Sequence, residues 1–180
     1  MNRFRSATLT SLTAGITIMA VLSLTAFVPL QSLFSWPLVS ILWILWGLGI
    51  AAYRLFGSSG LESSTYIRRY TPYSLALTLA FIVFGMMHEW TLMGATLMAG
   101  YSFELVAGFI LYNDFKRISG RFNAILFLVG ITLFILALPL ALFRLPWPAV
   151  AGVLLKTISI AKVVAGSSEP PALEERAAAA

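Results

Sequence analysis

Six long apolar runs follow one another along this chain, and short polar segments separate them. Most of the runs approach the roughly 20 consecutive apolar residues that an α-helix needs to cross the hydrocarbon core of a bilayer. The pattern therefore predicts an all-α fold of six transmembrane helices in one domain, residues 1–165. The predicted spans are Leu12–Leu30, Pro37–Phe56, Pro72–Met87, Trp90–Tyr112, Ala124–Phe143 and Ala149–Val164.

The run Trp90–Tyr112 has the clearest membrane signature. It begins at an aromatic residue, and a charged segment containing Asp114, Lys116, Arg117 and Arg121 follows it. Aromatic residues concentrate at bilayer interfaces, and Lys and Arg concentrate on the cytoplasmic side. We therefore expect this helix to leave the bilayer at the cytoplasmic face.

Composition also indicates a membrane protein. Of the 180 residues, 59% are apolar and 11% are charged, whereas soluble domains carry about 25% charged residues. Too few polar groups remain to cover a water-facing surface. This composition predicts an integral protein of the inner (cell) membrane of a prokaryote, with the lipid bilayer as its main partner.

Few residues suit metal or redox chemistry. The chain has no cysteine and one histidine, His88, which is too few for a thiolate site or a bis-histidine haem within one chain. An electron-transfer subunit would need two chains to pair. No phosphate loop, catalytic triad or cofactor motif is present, so we expect no enzyme activity, no metal and no cofactor.

Basic residues set the predicted orientation. With six spans and a cytoplasmic amino terminus, every Lys and Arg except Arg144 falls on the cytoplasmic side. This bias favours cytoplasmic positions for both termini, and it explains the net charge of +5 without a nucleic-acid partner. Lys156 interrupts the sixth run, so we expect it to snorkel or to face a polar interior.

Three polar segments complete the chain. Residues 57–70 predict a flexible connection, and residues 114–123 predict a basic connection between spans. The tail, residues 166–180, is rich in Ser, Pro, Glu and Ala. That composition is typical of a disordered segment.

The three outer turns resemble one another. Each places a Trp at the start of the following span, in Ser35–Leu38, Glu89–Leu92 and Pro146–Ala149. Similarity at a fixed period in a membrane chain is typical of a fold built from repeated units, so the sequence predicts three helical hairpins. The alternative is that Trp simply prefers membrane interfaces.

Residues near the ends of the second and fourth spans carry a resemblance to a known family. The segments Trp46–Ile50, Val106–Ile110 and Tyr112–Arg117 resemble the HdeD family of small membrane proteins. The resemblance implies three tandem hairpins in an inner-membrane protein linked to acid and stress tolerance. The third hairpin departs from the pattern, because Ser159 stands where the family has Gly.

Glu104 is the sharpest candidate for chemistry. It lies eight residues before Tyr112, which places it roughly 12 Å inside the cytoplasmic boundary, near the middle of a ~30 Å core. A charged side chain at that depth is costly, so we expect Glu104 to be protonated or to face a polar interior. It is therefore a candidate proton-responsive or cation-coordinating group. The alternative is a structural, hydrogen-bonded carboxyl.

Polar side chains near Glu104 predict a polar lining. The candidates are Tyr101, Ser102, Tyr73, Ser74 and Thr78. The alternative is that this helix face, which also carries Gly100 and Gly108, provides close helix packing.

His88 is a second candidate proton-responsive group. It lies beside Glu89 at the outer end of the third span, and a histidine titrates in the range in which acid stress begins. The alternative is an ordinary interfacial turn residue.

A basic cluster could contact anionic lipid headgroups. Its members are Arg68, Arg69, Lys116, Arg117 and Arg121. The alternative is that these residues only orient the chain in the membrane.

Two classes of function remain open. The first is a non-enzymatic membrane protein that acts in acid or stress resistance, or as an accessory subunit of a membrane complex. The second is a small transporter or the substrate-binding subunit of a transport system. A conduction role would favour a homo-oligomer, because six helices can barely enclose a pore alone.

Overall fold

A computed structural model describes residues 3–166 and confirms an all-α architecture. The helices are α1 (Arg3–Thr25), α2 (Leu30–Leu33), α3 (Leu38–Gly57), α4 (Ser64–Met86), α5 (Trp90–Ser119), α6 (Arg121–Leu142) and α7 (Trp147–Gly166). By length and composition, α1, α3, α5, α6 and α7 could each cross a membrane. The predicted disordered tail, beyond Gly166, lies outside the described residues.

The six long helices form a closed ring. Each packs mainly against two others, in the order α1, α3, α4, α5, α6, α7 and back to α1. Neighbours run antiparallel. For example, α1 and α7 meet through Gly15 and Thr157 near their middles, and through Phe27 and Trp147 close to the end of one and the start of the other.

The two ends of the ring differ in charge. One end, here called the basic end, collects the starts of α1, α4 and α6 and the ends of α3, α5 and α7. It carries Arg3, Arg5, Arg54, Arg68, Arg69, Lys116, Arg117, Arg121 and Lys162. The opposite, tryptophan end carries Trp36, Trp90, Trp147 and Arg144. These nine basic residues therefore lie together, whereas Lys156, which the charge pattern assigns to the same side, lies in the middle of α7.

Helices at the basic end extend further than the apolar pattern predicts. Helix α4 begins at Ser64 rather than at Pro72, so only residues 58–63 connect it to α3. Helix α5 continues to Ser119, and Gly120, at φ 85°, is the single residue between it and α6. Arg and Lys are good helix formers, so these helices continue past the apolar core where the sequence predicts connections.

The first hairpin also departs from its predicted bounds. Helix α1 covers Arg3–Thr25 instead of Leu12–Leu30, and a separate short helix, α2, follows it. Phe34, directly after α2, is buried against the rings of Phe81 and Trp90, at centroid distances of 5.5 and 6.1 Å. The segment from α2 to Phe34 therefore covers the tryptophan end of the ring.

Helices α6 and α7 make the closest backbone contact. A Cβ atom at Gly130 would lie 2.8 Å from the carbonyl oxygen of Gly152 and 2.5 Å from the amide nitrogen of Lys156. Glycine is needed at both positions because the two backbones touch there. This crossing fixes the height of Lys156 against α6.

A buried polar clamp also joins α6 to α7. Asn123 Nδ2 donates to the carbonyl oxygen of Ser159 at 3.0 Å, and Ser159 Oγ donates to the carbonyl oxygen of Asn123 at 2.9 Å. Ser159 is fully buried. Ser159 therefore supplies an interhelical hydrogen bond.

Two outer turns share one geometry. His88 and Arg144 have φ values of 62° and 61°, and each follows the last turn of a helix. The amide after each bonds five residues back, from Glu89 to Phe84 and from Leu145 to Leu140, both within 3.0 Å. This is the Schellman helix stop, and it makes the second and third hairpin turns alike.

Candidate ligand-binding cavity

Between the helices of the ring lies a partly open cavity of about 280 Å³. All six long helices contribute to its lining, which is mainly apolar. The polar side chains in its lining include those of Tyr53, Tyr66, Ser74, Thr78, Tyr101, Glu104 and Lys156. An apolar cavity with a few convergent polar groups is the usual form of a small-molecule site.

An ion pair crosses the cavity wall. Lys156 Nζ, on α7, donates to Glu104 Oε1, on α5. The two helices lie on either side of α6, so the pair bridges α6 on the cavity side. The lysine side chain is 14% exposed and the glutamate side chain 30% exposed. Among residues 3–166, this is the more buried of the two ion pairs.

Both charges lie deep in the ring. Helix rise places Glu104 roughly 12 Å from Tyr112 at the basic end. Lys156 follows Trp147 by nine residues, which places it roughly 14 Å from the tryptophan end. Mutual pairing reduces the penalty of a charge at such depth. Lys156 therefore faces the interior, one of the two positions expected for it.

Aromatic rings support the ion pair. Lys156 Nζ lies 6.0 Å from the centroid of the Phe134 ring, within cation–π range. The Tyr101 ring packs edge-on against the same Phe134 ring at 5.2 Å. Phe134, on α6, thus contacts both Lys156 and Tyr101, and Tyr101 lies one turn before Glu104.

A second, apolar cavity of about 90 Å³ lies towards the tryptophan end. Leu30, Leu33 and Phe34 of the α2 segment contribute to its lining. The two cavities share a collar of six residues, which are Ile18, Leu42, Leu45, Phe81, Tyr101 and Phe134. The cavities therefore stack along the ring, and the collar separates them.

The predicted lining residues divide between two helix faces. Tyr101, Ser74 and Thr78 line the larger cavity with Glu104. Ser102 is exposed on the outer face and donates to the carbonyl oxygen of Met98 at 2.8 Å. Tyr73 also faces outward, at 61% exposure. Successive helix residues point about 100° apart, and in α5 this turns Ser102 outward while Tyr101 lines the cavity.

His88 lies away from the cavity. It is exposed at the tryptophan end, and its ring centroid is 5.5 Å from that of Trp90. The structure gives it a local role, as the left-handed residue that ends α4.

The predicted headgroup-binding residues are exposed at the basic end. Arg68, Arg69, Lys116 and Arg121 all project outward. Arg117 pairs with Glu62 at 2.6 Å, but both side chains are more than half exposed, so this pair adds little stability. Nearby, buried Asp114 accepts the backbone N–H of Ser63 at 3.2 Å, which ties the connection before α4 to α5.

Lys156 is the site residue that sequence reasoning did not pair with Glu104. The sequence does contain a signal for this pairing, because one acid and one base each interrupt an apolar run near the middle of a span. Within residues 3–166, no group of three or more His, Cys, Asp or Glu side chains is placed to hold a metal ion.

Comparison with known proteins gives no relative. No family model, no curated protein and no solved structure matches this chain.

Proposed function

We propose that this integral membrane protein is a small carrier, or the substrate-binding subunit of a transport system, and that it holds one small molecule in the larger cavity. The Glu104–Lys156 ion pair carries this proposal. An ionisable pair at mid-depth that lines a cavity is costly for a purely structural bundle, and such residues commonly mark substrate or proton pathways.

The proposed membrane topology has six spans and two cytoplasmic termini. Helix α4 carries Arg68 and Arg69 near its start and is less apolar than the other long helices. It nevertheless lies between α3 and α5 in the ring, so its remaining length would cross the same bilayer. The charged basic end would face the cytoplasm of a prokaryotic cell, by the positive-inside rule.

A role in acid tolerance stays a prediction from the family resemblance, and a role as an accessory subunit of a membrane complex stays a prediction from the sequence. One contact is relevant to acid tolerance, because protonation of Glu104 would break the ion pair with Lys156. A carrier would use the cavity as well as the ion pair. We therefore prefer the carrier to a role in acid tolerance.

Ligand binding can be tested with four compounds that share a benzyl tail and differ in the head group. They are phenylacetate, benzylammonium, phenylalanine and benzyl alcohol. Each is equilibrated with the protein in phospholipid nanodiscs, and empty nanodiscs give the lipid background. We expect saturable binding of at least one compound to the wild-type protein.

Two adjacent substitutions provide the matched control. Ala107 lines the cavity, whereas Val106 is 47% exposed on the outer face. Ala107→Trp would fill the cavity and abolish binding, and Val106→Trp would preserve it. The absence of saturable binding for all four compounds, or equal binding by the two variants, would overturn the proposal.

A further inference from the structure

We propose that the cavity takes a monoanion with a short apolar tail, together with one proton. The anionic head group replaces Glu104 as the partner of Lys156, and Glu104 takes up the proton. This inference rests on the proposed function, and it specifies the ligand class of the same cavity.

Lys156 is the fixed member of the pair. Its backbone lies against Gly130, because a Cβ atom there would approach the Lys156 amide nitrogen to 2.5 Å. The Asn123–Ser159 clamp holds the next turn of α7. The Phe134 ring also lies near the ammonium group, so the cation keeps one favourable contact when the carboxylate leaves.

Glu104 is the replaceable member. Its side chain is about twice as exposed as that of Lys156, 30% against 14%. Lys156 is the only hydrogen-bond partner that Glu104 has within residues 3–166. A released carboxylate can become neutral by taking up a proton, whereas a released ammonium group would have to give one up.

The exchange conserves charge in the cavity. The ligand carboxylate brings one negative charge, and the proton cancels the charge of Glu104, so the cavity again holds one cation and one anion. The only covalent bond formed is the O–H bond of Glu104, and the bond broken is that between the proton and the water or buffer molecule that supplies it. Because no net charge is added at mid-depth, the exchange avoids the cost of an unpaired buried ion.

Other head groups would leave a different proton signature. A cation would pair with Glu104 and displace Lys156, so protons would be released. A zwitterion could bridge both charges without any change in protonation. The other titratable side chains on the cavity wall, among the described residues, are the phenols of Tyr53, Tyr66 and Tyr101.

The tail specificity follows from the rest of the lining. Around the ion pair the wall is mainly apolar and reaches the collar formed partly by Tyr101 and Phe134. The volume of about 280 Å³ lies at the lower limit of ordinary ligand pockets. A short hydrocarbon or aromatic tail fits this space.

Calorimetry of phenylacetate binding in nanodiscs tests the proton step. Titrations in two buffers of equal pH and different ionisation enthalpy give the number of protons taken up. We expect about one proton per ligand, and an apparent Kd that rises about tenfold per pH unit wherever free Glu104 is ionised. Proton release, or no proton exchange, would overturn the inference.

Variants at the two charges separate the roles. Glu104→Gln represents the protonated state, so it should bind phenylacetate at least as tightly as wild type, without proton uptake or pH dependence. Lys156→Gln should weaken binding by more than about tenfold, and Lys156→Arg should retain it. If Glu104→Gln keeps the pH dependence, the proton goes elsewhere and the inference fails.

A single substitution leaves one unpaired charge in the cavity, which favours misfolding. The double variant Glu104→Gln with Lys156→Gln removes both charges and avoids this problem. It should bind benzyl alcohol as wild type does and should lose phenylacetate. If wild type prefers benzylammonium or phenylalanine, this inference falls and the proposed function stands. If none of the four compounds binds, the proposed function itself falls.

Discussion

Single residues decide where charge can lie inside this protein. Glu104 and Lys156 are partly buried, and each is the other's ion-pair partner. A buried pair differs from a surface pair because removal of one member leaves the other without compensation. The two charges should therefore depend on each other energetically, in a way that exposed Arg117 and Glu62 should not.

This dependence gives a stability prediction. Glu104→Gln and Lys156→Gln should each lower the free energy of unfolding by about 1–3 kcal/mol, a figure reduced from that of fully buried pairs because Glu104 is partly exposed. The double variant should lose less than the sum of the two. Thermal unfolding in detergent measures all three, with Arg117→Gln and Glu62→Gln as controls.

Strict additivity of the two substitutions would contradict a direct ion pair. Coupling at Arg117 and Glu62 as large as at Glu104 and Lys156 would contradict the difference in burial.

A second prediction concerns the backbone conformation of His88. Its φ of 62° is unfavourable for a residue with a side chain. His88→Gly should therefore be neutral or should raise the free energy of unfolding by up to about 1 kcal/mol, and His88→Ala should not raise it. Thermal unfolding of both variants measures the difference. A clear loss of stability in His88→Gly would indicate that the imidazole makes a contact of its own.

The packing of the helices fixes how deep Glu104 and Lys156 lie in the ring. Helices α6 and α7 approach so closely that a Cβ atom at Gly152 would lie 2.3 Å from the backbone nitrogen of Phe134. The contact involves backbone, which cannot rotate away as a side chain can. The position of Lys156 therefore depends on a small-residue crossing that places Gly130 against the Lys156 backbone and Gly152, one turn earlier in α7, against Phe134.

Gly152→Ala should separate the two helices. The expected cost is about 1–3 kcal/mol, because the added methyl group forces a backbone shift. Gly47→Ala is the control, since a Cβ atom there meets nothing within 4 Å, and it should be neutral or stabilising by up to about 1 kcal/mol. Equal thermal stability of the two variants would contradict the close crossing.

The helices could largely be predicted from the sequence, but the faces that they bury could not. Apolar residues surround each span, so periodicity hardly distinguishes Tyr101, which lines the cavity, from Ser102, which faces outward. The depth of Glu104 follows from counting residues along one helix. Its pairing with Lys156 does not, because it depends on how α5 and α7 pack on either side of α6, and on the Gly130–Gly152 contact.

The whole molecule is a ring with two chemically different ends. With six spans, the residue 58–63 connection and the turn at Leu145 lie on opposite faces of the membrane. Single cysteines report this directly, because the natural chain has none. Ser58→Cys should react with a membrane-impermeant thiol reagent only from the cytoplasmic side, and Leu145→Cys only from the outside. Labelling of both from one side would contradict the six-span topology.

The cavity requires that the ring close between α1 and α7, because both helices contribute to its lining. A Cβ atom at Gly15 would lie 3.7 Å from Thr157 Cβ, within the roughly 3.5–4.5 Å that a disulfide requires. The pair Gly15→Cys and Thr157→Cys can therefore be oxidised in native membranes. A protease site inserted between Ser59 and Gly60 then separates α1–α3 from α4–α7.

Electrophoresis without reductant after cleavage is the most direct measurement. A closed ring predicts that the two fragments stay covalently joined and separate on reduction. They should separate in the control pair Ile16→Cys and Thr157→Cys, because Ile16 is 55% exposed on the outer face. Free fragments from the Gly15 and Thr157 pair after full oxidation would contradict the ring and, with it, the cavity.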